Sequence, residues 1–268
     1  MGIIVKYKMI AADMDGTLLN DRSELSERTK AAIAGAVEAG ALFVTATGRA
    51  MQGAEAVNAL FDEDMPFIII NGASAVLGKS RKVLFNKYLS FYLTKEVLDI
   101  CMDRDIPAII RTSEGIWASR ESEATSSYFG TYHSDMRVIQ DINELRDENI
   151  FKAIWFDTAS SVMSLQSELN SHFRGRLNCH SSMPEFLEFV SADADKGSAL
   201  ADIGKIYGVA RDETIAIGDG FNDVSMLKYA GLGVAMGNAP AEVKAVCERV
   251  TRSNTEDGAA AIIEEYLL

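Results

Sequence analysis

The chain has 268 residues, 48% of them hydrophobic, and 26 Lys and Arg stand against 39 Asp and Glu for a formal net charge of −13. That length can bury one core or two, since domains usually run to about 100–200 residues, and the negative field repels polyanions, which excludes nucleic acid and anionic membranes as expected partners. The three cysteines, Cys101, Cys179 and Cys247, lie far apart with no CxxC spacing, a usage that fits reduced thiols and a cytoplasmic setting.

The opening segment MGIIVKYKMIAADMDG holds one apolar stretch, broken by Lys6 and Lys8. It is far shorter than the roughly 20 residues a membrane span needs and reads as a first strand. Apolar runs at 8–12, 41–46 and 66–70 predict buried strands. Between them the spacing predicts an amphipathic helix over 26–39, ending at Gly40, and a second helix over 50–60. From 82 to 191 the texture changes to longer polar segments carrying both tryptophans and all three histidines. Strands at 108–111, 115–118, 151–156 and 186–190, with helices at 94–103 and 159–170, predict an α+β insert. The C-terminal part returns to the first theme, with strands at 214–217, 232–235 and 249–251 and helices at 197–207, 223–229 and 241–246. The expected architecture is α/β: a doubly wound, Rossmann-like, mostly parallel sheet assembled from 1–82 and 191–268. An α+β cap over 83–190 is expected to enter after the third strand.

Chemistry concentrates where apolar strands run out, at the edge where open parallel sheets bind ligands. Asp13-Met14-Asp15-Gly16-Thr17-Leu18 offers two carboxylates two residues apart. Asp13 can attack phosphorus and form a covalent intermediate, while Asp15 protonates the leaving alkoxide and later draws a proton from water. Gly16 suits a tight turn. The competing reading is a solvated acidic turn; a calcium loop fails because its sixth position, a glycine by rule, is Leu18. Gly218-Asp219-Gly220-Phe221-Asn222-Asp223 follows a second strand. Asp219 can join Asp13 in holding a hard cation, and magnesium commonly takes one or two carboxylates, waters and substrate phosphate. Asp223 either ligates directly or orders a metal-bound water, and helix capping is the simpler alternative for both. After the strand at 41–46, Thr47 offers a hydroxyl and Gly48 a backbone N–H to a phosphoryl oxygen ahead of a helix. A cap, with Arg49 in a surface ion pair, would explain the same residues. Lys196 opens a helix against the dipole preference, so it either offsets negative charge on Asp13 and a phosphoryl group or is solvated surface.

In this order the four segments resemble the haloacid dehalogenase-like superfamily, whose phosphatases carry DxDGT, a strand-end Thr or Ser, a Lys and a GDxxND-type motif. The long insert between the second and third is similar to the Cof-type subfamily with its large α+β (C2B) cap. The resemblance implies Asp13 as nucleophile, Asp15 as acid and base, and Thr47 and Lys196 as phosphate stabilisers. It implies Mg2+ on Asp13, the Asp15 main-chain carbonyl and Asp219, Asn222 touching the phosphate or Lys196, and the Asn71-Gly72 loop bordering the site. The approach to Lys196, Ser191-Ala192-Asp193-Ala194-Asp195, is more acidic than the pattern leads one to expect. The expected activity is hydrolysis of phosphate monoesters of small metabolites, sugar phosphates among them, by a monomer or small homo-oligomer. A phosphomutase passing the same aspartyl phosphate to a sugar hydroxyl is the nearest rival, and a catalytically silent metabolite-binding regulator the other. His172, Cys179 and His180 match no zinc spacing, the glycines of 231–237 match no dinucleotide fingerprint, and Trp117 and Trp155 are expected to pack within the cap.

Overall fold

A computed structural model describes residues 7–131 and 135–268; the first part of the expected opening strand, 1–6, and His133 lie outside the described residues. The chain divides into two compact units, one running to Asn86 and resuming at Asp195–Leu268, the other spanning Lys87–Ala194. In chain order the first unit contributes β1 (Met9–Ala12), α1 (Glu27–Glu38), β2 (Leu42–Ala46), α2 (Glu55–Asn58), β3 (Pro66–Ile69), β4 (Ser74–Leu77) and β5 (Val83–Asn86). The second holds α3 (Phe91–Asp103), β6 (Ala108–Thr112), β7 (Ile116–Ala118), α4 (Glu123–Thr131), β8 (Arg137–Val138), β9 (Ile150–Phe156), α5 (Ala159–Phe173), β10 (Leu177–Met183) and β11 (Phe186–Ser191). The first unit then resumes with α6 (Lys196–Tyr207), β12 (Thr214–Gly218), α7 (Val224–Tyr229), β13 (Leu232–Ala235), α8 (Ala241–Lys244), β14 (Arg249–Val250) and α9 (Gly258–Leu267).

The first unit is built on an eight-stranded sheet in the order β14-β13-β12-β1-β2-β3-β4-β5. Pairings from β14 through β3 are parallel, and β4 and β5 add an antiparallel edge. All four residues of β1 are buried, as expected of a central parallel strand covered on both faces. α1 begins where Ser26 accepts a hydrogen bond from the Thr29 N–H, and its buried Thr29, Ala32, Ile33 and Ala36 recur at helical spacing on one stripe. α6 starts from Asp195, whose carboxylate accepts from the Gly197 and Ser198 N–H groups, and stops at left-handed Gly208.

Two expectations change. Residues 50–60 do not form one helix: a 3-10 turn at Met51–Ala54 is followed by the single turn of α2, and Gly53, which costs a helix interior about 1 kcal/mol, sits at the break. The inserted unit follows the fifth strand, because β4 and β5 intervene. Their hairpin went unread although Val83-Leu84-Phe85 is apolar; β5 is a short edge strand whose positions are exposed or half-buried.

The second unit has its own six-stranded sheet, ordered β10-β11-β9-β6-β7-β8. Ala153, Trp155, Leu187 and Phe189 pack on one face against Val97, Leu98 and Cys101 of α3 and Val162, Leu165, Leu169 and Phe173 of α5. The alternate residues Ile109, Ile154 and Phe156 pack against Tyr128 and Phe129 of α4, the period-2 division a strand imposes. Trp155 is a core residue, its ring centroid 4.6 Å from that of Phe189. Among the described residues no helix is long and apolar enough to cross a membrane.

Candidate active site

The register of the central strands brings three distant segments to one sheet edge. Ala12, the last residue of β1, lies opposite Thr45 in β2 and Ile217 in β12. The next residue, Asp13, donates its N–H to the Ile217 carbonyl at 3.0 Å, and Thr47 donates its own to Ile68 at 2.8 Å. Strand order reverses at β1, the topological position where such sheets bind ligands at their carboxyl ends.

Lys196 reaches this edge from the first position of α6 and is completely buried. Its Nζ donates to Asp13 Oδ1 and to Asp223 Oδ1, each at 2.6 Å. The other Asp223 oxygen accepts the backbone N–H groups of Asp219 and Gly220 at 3.0 and 2.9 Å. Asp223 thus ties the loop after β12 to the lysine with both oxygens engaged. Asp195 beside Lys196 is the helix cap, which accounts for one of the acidic residues on the approach.

Asp219 is held by Thr17, which lies within the first motif but was given no role, and by Asn238, which lies outside the motifs. Its Oδ1 accepts from Thr17 Oγ1 at 3.0 Å and its Oδ2 from Asn238 Nδ2 at 3.3 Å. Asn238 also donates to the Gly16 carbonyl at 2.8 Å. Its signal was position: Asn238 lies in the Gly237-Asn238-Ala239-Pro240 loop just beyond β13, the next strand end along the same edge. Gly16 has φ +77°, and a Cβ there would fall 2.4 Å from Asp219 Oδ2, so both backbone conformation and proximity demand glycine.

Thr47, Gly48, Asn71 and Asn222 form a second chain of contacts. Thr47 Oγ1 accepts the Arg49 N–H at 3.1 Å. A Cβ on Gly48 would meet the Asn71 side chain, and Asn71 Oδ1 accepts from Asn222 Nδ2 at 3.0 Å. Ile70, Asn71 and Gly72 have φ of 52°, 54° and 96°, and Gly72 passes so close to Asp195 that a Cβ would lie 2.2 Å from its carbonyl oxygen. A β-branched residue in that region is strained, and the strain sits where the turn abuts the start of α6. Asp15 turns its carboxylate to Arg49, which donates from Nε at 2.8 Å and from Nη2 at 2.5 Å. Asp13, Asp15, Thr47, Gly48, Asn71, Gly72, Lys196, Asp219, Asn222 and Asp223 therefore belong to one connected neighbourhood.

Charge is unbalanced there. Asp13, Asp219 and Asp223 offer carboxylate oxygens within 4.8 Å of one another, against the single ammonium of Lys196. Burial pushes Asp13 up to about 8 despite the pull of Lys196, with Asp223 and Asp219 adding repulsion. Burial and the Asp223 charge raise Asp219 to about 6. Burial opposes the charge on Lys196, but Asp13 and Asp223 outweigh it and hold the group above the ordinary lysine value. Crowded carboxylates with hard oxygen donors and too little positive charge are what a divalent cation such as magnesium relieves, so the donor set fits that ion. The carboxylate of Asp15 is not in the cluster, being paired with Arg49.

Outside this neighbourhood, His172 pairs with Glu96 at 2.9 Å, and Cys179 is buried in the core of the second unit. Neither belongs to a metal-holding group among the described residues.

Residues 10–263 match the family model of the haloacid dehalogenase-like hydrolases. Over 268 residues the chain is 30% identical to YxeH of Bacillus subtilis (strain 168), covering 98% of this chain and 99% of that protein. It is 29% identical over 290 residues to the 5-amino-6-(5-phospho-D-ribitylamino)uracil phosphatase YwtE of the same organism, covering 97% and 98%. A crystal structure of a haloacid dehalogenase-like hydrolase from Bacteroides thetaiotaomicron superposes with a TM-score of 0.80 at 28% identity, over 97% of this chain and 99% of that one.

Proposed function

The chain belongs to the haloacid dehalogenase-like hydrolases, and on that footing we propose that it is a magnesium-dependent phosphatase hydrolysing phosphate monoesters of small metabolites. Asp13 attacks phosphorus through a carboxylate oxygen, forming the O–P bond of an aspartyl phosphate while the bond from phosphorus to the leaving oxygen breaks. Asp15 gives its proton to that leaving oxygen. It then takes a proton from the water that attacks the aspartyl phosphate, and free phosphate and Asp13 are regenerated. Lys196, held between Asp13 and Asp223, fixes the orientation of the nucleophile and offsets charge that gathers on the phosphoryl oxygens. Thr47, the Gly48 N–H, the Asn71-Gly72 turn and Asn222 orient the phosphoryl group. Asp13, Asp219 and the Asp15 main-chain carbonyl would hold the magnesium ion, with Asp223 acting through an ordered water, and the ion would neutralise phosphoryl charge during transfer.

The observation that carries this reading is the buried Lys196 ammonium bridging Asp13 and Asp223 beside Asp219. Such a group has no purpose in a solvated acidic turn, and it leaves the second Asp13 oxygen outside the ion pair. Sugar and polyol phosphates are the expected substrates, in keeping with the phosphorylated ribityl chain in the name of the YwtE relative, and the inserted unit is assigned the selection of the leaving group. The test is phosphate release from a panel of phosphorylated metabolites with and without magnesium, run in isotopically labelled water. Labelled oxygen is expected in the free phosphate, and Asp13→Asn is expected to abolish release. An active Asp13→Asn protein would remove the nucleophile assignment, and a phosphorylated acceptor formed without labelled free phosphate would favour transfer to another hydroxyl.

A further inference from the structure

The ion pair between Asp15 and Arg49 has the exposure of an ordinary surface contact, with side chains 52% and 38% accessible, yet its construction is not ordinary. Arg49 is fixed along its whole length. Its N–H is bound by Thr47 Oγ1 at 3.1 Å, its carbonyl accepts the Ile70 N–H at 3.0 Å, and its Nη1 donates to the Gly53 carbonyl at 3.1 Å. Gly53 leaves room for the stem: a Cβ there would stand 2.9 Å from Arg49 Cδ. The remaining donors, Nε and Nη2, form a fork that takes both oxygens of Asp15. A bidentate fork fixes the plane of a carboxylate as well as its distance, which an ammonium cannot do.

We propose that Arg49 is a positioning residue for the acid–base step, setting the plane and rotamer in which Asp15 meets the leaving oxygen. This rests on the reading of Asp15 given above. As the P–O bond to the leaving group breaks and the Asp13–P bond forms, the proton on Asp15 passes to the departing oxygen, and its direction of approach is inherited from the arginine. The consequence depends on the leaving group. An alkoxide cannot depart without that proton, whereas a nitrophenolate departs as a stable anion. Loss of positioning therefore penalises alkyl phosphates and largely spares activated aryl phosphates.

The experiment measures kcat/KM, which covers events up to phosphoryl transfer, for 4-nitrophenyl phosphate and for propyl phosphate in the same preparation of each protein. In Arg49→Met the alkyl value is expected to fall at least about tenfold further than the aryl value, a loss within the range typical of general acid catalysis. Arg49→Lys is expected to recover only part of the difference, and added methylguanidinium to restore alkyl turnover in Arg49→Gly. Gly53→Ala, which displaces the stem from outside the site, is expected to move the ratio in the same direction by a smaller factor. The ratio does not depend on how much of a preparation is folded, so a destabilised variant still reports. Equal losses for both substrates, or none, would overturn the assignment while leaving the phosphatase intact. A wild-type protein that releases phosphate from neither substrate would overturn the reading beneath it as well.

Discussion

Lys196 is the residue on which the site's balance turns. It is wholly buried with two carboxylates at 2.6 Å, and removing one partner of a buried ion pair typically costs about 3–5 kcal/mol because the others stay behind as uncompensated charge. Lys196→Met is accordingly expected to lose that order of stability in urea unfolding as well as all turnover; a loss below about 1 kcal/mol would mean the carboxylates accommodate each other without it. Gly16 makes a second residue-scale prediction. Gly16→Ala adds a Cβ 2.4 Å from Asp219 Oδ2 at φ +77°, so calorimetric titration should find magnesium affinity weakened at least about tenfold, the scale of losses from disturbing a ligand's supports. Lys196, Asp13 and Asp219 were legible in the sequence because each stands at a strand end or helix start inside a short motif. Thr17 and Asn238 were given no role, since what defines each is a side-chain hydrogen bond to Asp219; the strand-end position of Asn238 was the one sequence signal, and it does not name the partner. The commitment of Asp15 to Arg49 was equally hidden, although the ion pair itself was among the readings of Arg49.

At the scale of elements, the strands that build the site were readable because burial on both faces writes them as unbroken apolar runs, as in β1 and β12. The elements that escaped are those whose sequence obeys another constraint. β10 reads Leu177-Asn178-Cys179-His180-Ser181 because only alternate residues face the core of its unit, and β5 lies at a sheet edge. Short-range polar contacts also decide how elements hold together. Glu96 on α3 accepts from Arg176 Nη1 and Nη2 at 2.7 and 2.8 Å and pairs with His172 on α5. The Arg176 hydrogen bonds, assisted by His172 and opposed by partial burial, lower its carboxyl to about 2 from 4.5. A depressed carboxyl stabilises the fold above its unfolded value and loses that contribution as pH falls through the folded one. Wild type should therefore exceed Glu96→Gln in stability at pH 7, with the gap narrowing from about pH 4.5 downward. A gap that widens on acidification would contradict the pairing. Because these groups are partly exposed, the difference is expected to be small and to shrink further in salt.

For the whole molecule, the second unit has a sheet and an apolar cluster of its own. Residues 87–194 expressed alone are therefore expected to give one cooperative thermal transition; a gradual, non-cooperative melt would show that the cluster is insufficient. The first unit should respond to metal instead. Magnesium at 100 times its Kd is expected to add about 2.7 kcal/mol of stability, read as a rise in Tm, and the response should vanish in Asp219→Asn. Magnesium that leaves the wild-type Tm unchanged would argue against a cation at Asp13 and Asp219.

The placement of β1 between β2 and β12 also bears on how the protein is born. At about 5–20 residues per second, a ribosome releases the strand leading to Asp13 and its first neighbour before the inserted unit, and the second neighbour only after the entire inserted unit has been threaded out. Lys196 and Asp219 arrive with that late segment. A polypeptide that stops short of Lys196 thus carries Asp13 with neither Lys196 nor Asp219 beside it, so the buried cluster assembles only after the segment that follows the inserted unit has emerged.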